Sequence, residues 1–419
     1  MEERRWLPRL SARERRVLAL LATAAFFNQY DLGLFSLLLV QIQEDLGIPE
    51  ARLGLLGSLV RIGSVLAFFA LFLADRVGRR SVLLWTILGY TAATAATALA
   101  PSYEAFTALQ ILARLFMSAE ALLAVVVVIE EFGAGHRGWG IGVLGMLGAL
   151  GRGLSMLLFA FVDDIPFGWR GMYAAGLLPL LLVFWLRRGL PETERFDTLR
   201  RARRTGTSIR EAFAPVRSVV RAYPSRVAAV AIVTFLWAFS NGPVDFFLPK
   251  FAQQVHGWSP ADYAKVAVMS GALGLLGFPV AGRLSDRLGR RGVGIALTVW
   301  EPAAAIALYT VFGSLFVPIV MAWMFASVGN DVVLGAFRAE LFPTSARATV
   351  AGAIAVVGTV GAVLGLACEA ALFTWTGSHW PPVRLIAATG LLMPLVIYFA
   401  YPETSGRTLE QVSPERSHG

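Results

Sequence analysis

Long apolar runs alternate with short polar connections along the whole chain. They fall near residues 17–39, 53–74, 81–100, 104–131, 139–162 and 171–187, then near 227–248, 263–283, 292–313, 315–337, 349–374 and 383–401. A helix needs about 20 apolar residues to cross the hydrocarbon of a bilayer. An isolated strand cannot satisfy its backbone in lipid, and barrel strands would alternate over about ten residues. The pattern therefore predicts an all-α membrane protein with twelve spans, six before and six after a polar stretch.

Composition agrees with that reading. Of 419 residues, 56% are hydrophobic and only 16% charged, where a soluble domain carries about 25% charged residues. A soluble enzyme, a coiled coil and a disordered chain are all disfavoured. The net charge of +9 does not point to nucleic acid, because the basic residues form no single stripe. They cluster beside apolar runs, as in Arg13, Arg15 and Arg16 or Arg200, Arg201, Arg203 and Arg204. With the N-terminus inside, 29 of the 37 Lys and Arg fall in cytoplasmic segments and four in external loops. That bias puts both termini in the cytoplasm of a plasma (inner) membrane protein. The first run contains Asp31 and is too long for a cleaved leader, so it is read as a retained helix. Cys368 is the sole cysteine, which excludes an intramolecular disulfide.

The two halves repeat. Asp75-Arg76-Val77-Gly78-Arg79-Arg80 recurs as Asp286-Arg287-Leu288-Gly289-Arg290-Arg291, and Pro191-Glu192-Thr193 recurs as Pro402-Glu403-Thr404. A Glu-to-Arg spacing of seven joins Glu130 to Arg137 and Glu340 to Arg347. Motifs recurring at a nearly constant offset, each at a matching helix end, indicate a duplicated six-helix unit, as in secondary transporters. The expected organisation is a bundle over 1–187, a basic cytoplasmic linker over 188–226 and a second bundle over 227–419 with a short tail.

These motifs carry a resemblance. Gly282-Arg283-Leu284-Ser285-Asp286-Arg287-Leu288-Gly289-Arg290-Arg291 resembles the loop motif of the major facilitator superfamily; its first-half copy has Leu71 in place of the leading glycine. Pro402-Glu403-Thr404-Ser405-Gly406-Arg407-Thr408-Leu409-Glu410 is similar to the signature after the last helix of sugar porters. Glu340-Leu341-Phe342-Pro343-Thr344 with Arg347 is closer to the metabolite:proton symporters and organic-ion transporters. The resemblance implies two pseudo-symmetric six-helix bundles working by alternating access. It also implies that Asp75, Arg79, Glu130, Arg137 and Glu192, with Asp286, Arg290, Glu340, Arg347 and Glu403, hold a cytoplasmic gate shut. Carboxylates at helix N-termini and guanidinium–carboxylate pairs suit such a latch.

Ionisable residues inside the spans are the candidates for function, because charge at membrane depth is costly. Asn28, Gln29 and Asp31 lie on the first span, with Asp31 about 20 Å from its start. Arg61, Arg114 and Arg152 reach similar levels from the other side, Gln110 lies one turn before Arg114, and Glu120 sits deeper on the fourth span. The resemblance to sugar porters assigns proton coupling to Asp31 with Arg114. In the second half Asp245, Asp331 and Glu369 are the acids and Trp237, Asn241, Trp323 and Asn330 the further candidates for solute contact. Glu301 precedes Pro302 and reads as structural. Asn241-Gly242-Pro243 is expected to break its helix. The four histidines, His136, His256, His379 and His418, fall at loops or ends, so no buried imidazole is expected to serve a metal or a catalytic dyad. No P-loop pattern occurs.

The sequence thus predicts a secondary transporter rather than an enzyme. It needs no cofactor or metal, and its partners are a small polar solute, protons and the lipid bilayer, with no nucleic acid. A monomer is expected. The solute would be a zwitterion, carboxylate or sugar taken up with protons. An organic cation or multidrug exporter is the alternative, disfavoured because the glycine-rich fifth span lacks the Gly-Pro of the drug:proton antiporters. A non-transporting membrane sensor would need an output module for which the loops offer little room.

Overall fold

The computed structural model describes residues 8, 10–67, 79–133, 136–177, 214–343 and 347–413, and within them the ordered elements are helical. The first half contributes α1 (Ala12–Leu37), α2 (Leu39–Leu46), α3 (Leu53–Leu66), α4 (Arg79–Thr97), α5 (Tyr103–Glu131), α6 (Arg137–Phe159) and α7 (Trp169–Ala174). The second contributes α8 (Ala214–Ala222), α9 (Pro224–His256), α10 (Pro260–Leu288), α11 (Arg290–Leu308), α12 (Phe316–Glu340), α13 (Arg347–Thr376), α14 (Trp380–Ala388), α15 (Met393–Ala400) and α16 (Leu409–Val412). Among the described residues, nine helices are long and apolar enough to cross a membrane. The shorter α3, α4 and α7 begin at the remaining expected spans, so the twelve-span reading is consistent with what is described.

Local sequence explains where these helices start. The Ser11 hydroxyl caps α1 by accepting from the Glu14 amide while the Ser11 amide donates to Glu14 Oε2, a full capping box, and Ser102 and Ser259 cap α5 and α10. These hydroxyls satisfy amide donors that have no partner in the first helical turn. Proline in the first turn of α9 and α10 fixes a helical φ where no amide is needed.

The chain divides into two compact units. One is Met1–Gly47 with Gly63–Thr207, the other Ile48–Ile62 with Ser208–Gly419. The stretch Ile48–Ile62, which includes most of α3, is therefore packed within the second unit. In the first unit α1 runs along α6 and α4 along α5. Its core gathers Val17, Leu21, Ile87, Tyr90, Val128 and Phe132. In the second, α9 runs along α13 and α11 along α12, the same pairing repeated. Its core gathers Val230, Leu297, Val333, Phe337, Ile397 and Tyr401. Many large apolar side chains stay on the outside, among them Trp85, Met146, Leu275, Trp375 and Phe399. Exposed apolar area on this scale suits lipid rather than water.

The glycines of α6 act selectively. At Gly151 a Cβ would run into the Phe26 carbonyl, and at Gly148 it would touch the Gln29 side chain, so α1 and α6 approach closely there. Gly142, Gly145 and Gly153 face open space.

One expectation is corrected. Asn241-Gly242-Pro243 does not break its helix: α9 continues through Pro243 and Pro249 to His256. Proline at 243 frees the carbonyl of Phe239, and Gly365 of α13 lies directly against that carbonyl. A neighbouring helix that covers the freed backbone lets the helix continue in lipid.

Candidate functional site

In the first unit Asn28 and Gln29 of α1 line one cavity. Asn28 and Asp31, three residues apart, share a face. The Asn28 amide donates to Glu120 Oε2 and to the Met117 carbonyl, both at 2.7 Å, tying α1 to α5. Glu120 is fully buried, and its Oε1 has no hydrogen-bond partner. Beside this pair α1, α5 and α6 line a half-open cavity of about 190 Å³, with Asn28, Gln29, Glu120, Leu144 and Gly148 among its walls. A buried carboxylate with an oxygen left open lowers its energy when it meets a donor or a cation.

Asp31 lies one turn further along α1, 5% exposed, beside Thr94 of α4, and neither carboxylate oxygen makes a well-formed hydrogen bond. The surrounding wall is tyrosine-rich. Tyr30 donates to the Met172 carbonyl at 3.0 Å. Tyr173 feels the charges of both Asp31 and Arg114. The buried Tyr90 hydroxyl, which has no hydrogen-bond partner, lies within the fields of Asp31 and Glu120 together. Gln110 is turned away from this group and donates to Thr97 Oγ1 at 3.1 Å. The stem of Arg152 lies beside Gly33, two residues past Asp31. Asp31, Arg114, Arg152 and Glu120 thus occupy one region of this unit.

In the second unit the candidates separate into different settings. Glu301 is a buried acceptor for Asn330 Nδ2 at 2.6 Å and for Trp237 Nε1 at 3.1 Å, joining α9, α11 and α12. This is the structural role read for Glu301, and it engages Trp237 and Asn330 as well. Asn241 lies near it, lining a small cavity with Ser240, Glu301 and Pro302. Trp323 is buried with its Nε1 unpartnered. Asp331 is exposed and pairs with Arg338 at 3.2 Å. Asp245 acts electrostatically on Tyr309, whose hydroxyl donates to the Val244 carbonyl. Arg61, packed in this unit, brings its guanidinium against Gly242.

Glu369 meets a residue that lies in a loop, as the sequence implies, but is buried. His379 was expected at a loop, away from any buried chemistry, yet it is 2% exposed and its Nδ1 lies 2.6 Å from Glu369 Oε1. Lys250, counted with the external loops, is likewise wholly buried near the end of α9 and pairs with Glu50 at 3.0 Å. Phe247 and Phe373, at the ends of two apolar runs, pack on the His379 ring, and Phe251, next in sequence to Lys250, packs on Tyr309 and Trp380.

The helix-end motifs assemble within each unit. Arg290 reaches Glu340 at 2.7 Å and Asp286 at 3.1 Å. Glu403 accepts from the backbone amides of Arg290, Arg291, Thr404 and Ser405, so it caps the start of α11. Its burial favours the neutral acid, but these four amides outweigh it and hold the carboxyl below its ordinary range. Arg347 donates to the Phe342 carbonyl at 3.2 Å, and Arg137 donates to the Phe132 carbonyl at 2.9 Å. The repeat seen in sequence is thus repeated in contact. Arg13 pairs with Glu131, the neighbour of Glu130, at 2.7 Å. Arg79 opens α4, whereas Asp75 and Glu192 lie outside the described residues. Among the described residues no cluster of His, Cys, Asp or Glu is arranged to hold a metal.

Duplicated helical units built from apolar spans, with buried carboxyls beside a cavity, define a multi-pass membrane protein of the secondary-transporter class. Residues 21–300 match the Major Facilitator Superfamily, and the chain belongs to that family. The probable 4-methylmuconolactone transporter of Cupriavidus pinatubonensis is 26% identical over 405 residues, 93% of this chain and 91% of that relative. A citrate-proton symporter of Klebsiella pneumoniae is 28% identical over 353 residues, 77% of each. The crystal structure of a D-xylose-proton symporter matches with a TM-score of 0.78 at 16% identity, covering 95% of this chain and 100% of that one, which is a likeness of fold. The relatives and the fold are those of transporters, not of enzymes.

Proposed function

We propose that this chain is a proton-coupled symporter that takes up a small polar organic solute, and that Asp31 carries the coupling proton. The observation that carries the reading is the setting of Asp31. It is buried on α1, without a well-formed hydrogen bond, one turn from the Asn28–Glu120 pair on the cavity wall. A proton on Asp31 and a solute at Asn28, Gln29 and Glu120 would then be felt by the same stretch of α1.

A bifunctional organic acid or zwitterion suits this region. Arg114 and Arg152 supply charge for a carboxylate, while the open Glu120 Oε1 supplies an acceptor for a hydroxyl group or a counter-charge for an ammonium. The named solutes of two relatives, 4-methylmuconolactone and citrate, support an organic acid over a plain sugar. Trp237, Asn241, Asp245, Trp323, Asn330, Asp331, Glu369, Gln110 and Arg61 remain candidates for solute contact in other states of the cycle. The helix-end charges, from Asp75 and Arg79 to Glu192 and from Asp286 to Glu403, act in this reading as a cytoplasmic latch. In this reading both termini lie in the cytoplasm, and 1–187 and 227–419 are the two repeated halves of the chain, with Ile48–Ile62 packed in the second compact unit.

The experiment is uptake into proteoliposomes, using nicotinate, citrate, glycine betaine and a hexose as probes. One or more of the organic acids or the betaine should accumulate when the outside is acidified. Asp31→Asn should abolish accumulation yet preserve exchange of the same solute across the membrane. A variant that still concentrates solute under the pH gradient would remove Asp31 from the coupling role.

A further inference from the structure

Four ionisable side chains meet in the second unit, away from the cavity of the first. His379 precedes α14. Its Nδ1 is 2.6 Å from Glu369 Oε1 on α13, and its Nε2 is 3.5 Å from Glu50 Oε1 in the turn Glu50–Arg52. Glu50 Oε1 also lies 3.0 Å from Lys250 Nζ of α9. Lys250 and Glu369 are wholly buried, and the Glu50 side chain, 40% exposed, is the cluster's opening to solvent.

Charge balance selects the protonation state that the cluster favours. With His379 neutral, the direct contacts of the cluster join two carboxylates to one ammonium, and buried charge that is not balanced is costly. An imidazolium balances the pair and offers an N–H to each carboxylate. Its ring also stacks on Phe247, with centroids 4.4 Å apart, and packs beside Phe373 at 4.5 Å, faces that attract a cation. The other groups facing this region are Asp245 of α9, Tyr263 of α10, Tyr309 of α11 and Cys368 of α13, none of them a cation near neutral pH. Arg52 in the turn is exposed and Arg384 of α14 half-buried. Burial disfavours the charged imidazole, but the bond to Glu369 and the ion-pair contact with Glu50 outweigh it, so His379 keeps its proton above the ordinary histidine range.

The same stretch that begins at Glu50 is held by contacts along its length. Gly54 lies against the Glu369 carboxylate where a Cβ would not fit, and Gly57 against Phe246 and Leu366. Ser58, 3% exposed, donates to the Val363 carbonyl at 2.9 Å. All these partners sit on α9 and α13. We propose that Glu50, Lys250, Glu369 and His379 form a proton-binding site that fastens the stretch Ile48–Ile62 to α9 and α13 when protonated and loosens it when His379 is neutral. This site is separate from Asp31 and stands whether or not Asp31 couples transport. The sign follows from the raised histidine: the fastening is complete below the ordinary histidine range and fades as pH rises through the higher value held in the fold.

Cys368 is the sole cysteine, so Cys368→Ala gives a clean background for Ser58→Cys. Maleimide labelling of Ser58→Cys in proteoliposomes, divided by that of Leu99→Cys at an 82% exposed position, reports release of the stretch with the ionisation of a solvated thiol divided out. The ratio should rise about tenfold between about pH 5.5 and about pH 8.5. His379→Gln keeps a hydrogen-bonding side chain without the titration, and its ratio should be high and flat. Glu50→Gln removes one anion at the exposed end, so the midpoint should move to lower pH. A flat ratio in the parent, the parent's rise retained in His379→Gln, or an unmoved midpoint in Glu50→Gln would each overturn the proposal.

Discussion

Glu120 makes a specific demand on whatever enters the cavity beside it. One oxygen is taken by Asn28 and the other is open, so the group is half-satisfied in a buried setting. Glu120→Gln keeps the shape and can keep the Asn28 contact while removing the charge. Binding of a solute with an ammonium or hydroxyl group should weaken about tenfold, or about 1.4 kcal/mol, in calorimetric titrations of glycine betaine and citrate. Equal weakening for nicotinate, which carries neither group, would show a general loss of shape instead. Single residues of this kind are conspicuous in the sequence. Asp31, Glu120 and Glu301 interrupt apolar runs, and charge at that depth is rare without a purpose. His379 carried no such signal. It lies 329 residues from Glu50, outside any apolar run, and only the aromatic packing around it makes the site buried.

Helix pairs repeat the same design in each half. The repeat was legible, because the Glu-to-Arg spacing of seven recurs, and the matching bonds of Arg137 to Phe132 and Arg347 to Phe342 are its physical form. The packing of α1 on α6 was legible only as a run of glycines; which of them face a neighbour depends on helix rotation that composition does not contain. Gly151 is the closest approach and Gly145 is open. Gly151→Val should lower the melting temperature in detergent by several degrees, since overpacking costs about 1–3 kcal/mol. Gly145→Ala should leave it unchanged or slightly raised, through helix propensity. Equal effects from the two would contradict the assigned face. The continuity of α9 through Pro243 was illegible for a related reason: the covering residue, Gly365, lies on another helix.

At the scale of the whole molecule, class and span count followed from hydrophobic length, while coupling depends on a few buried groups. A symporter moves protons with its solute even when no gradient is imposed, and that movement is the most direct sign of the mechanism proposed. Proteoliposomes containing a pH-sensitive dye, held at equal pH on both sides and then given nicotinate, citrate or glycine betaine outside, measure it. The transported solute should acidify the lumen of liposomes carrying the parent protein. Asp31→Asn should move the same solute without acidification. Solute entry into parent liposomes with no change in luminal pH would contradict proton symport by this chain.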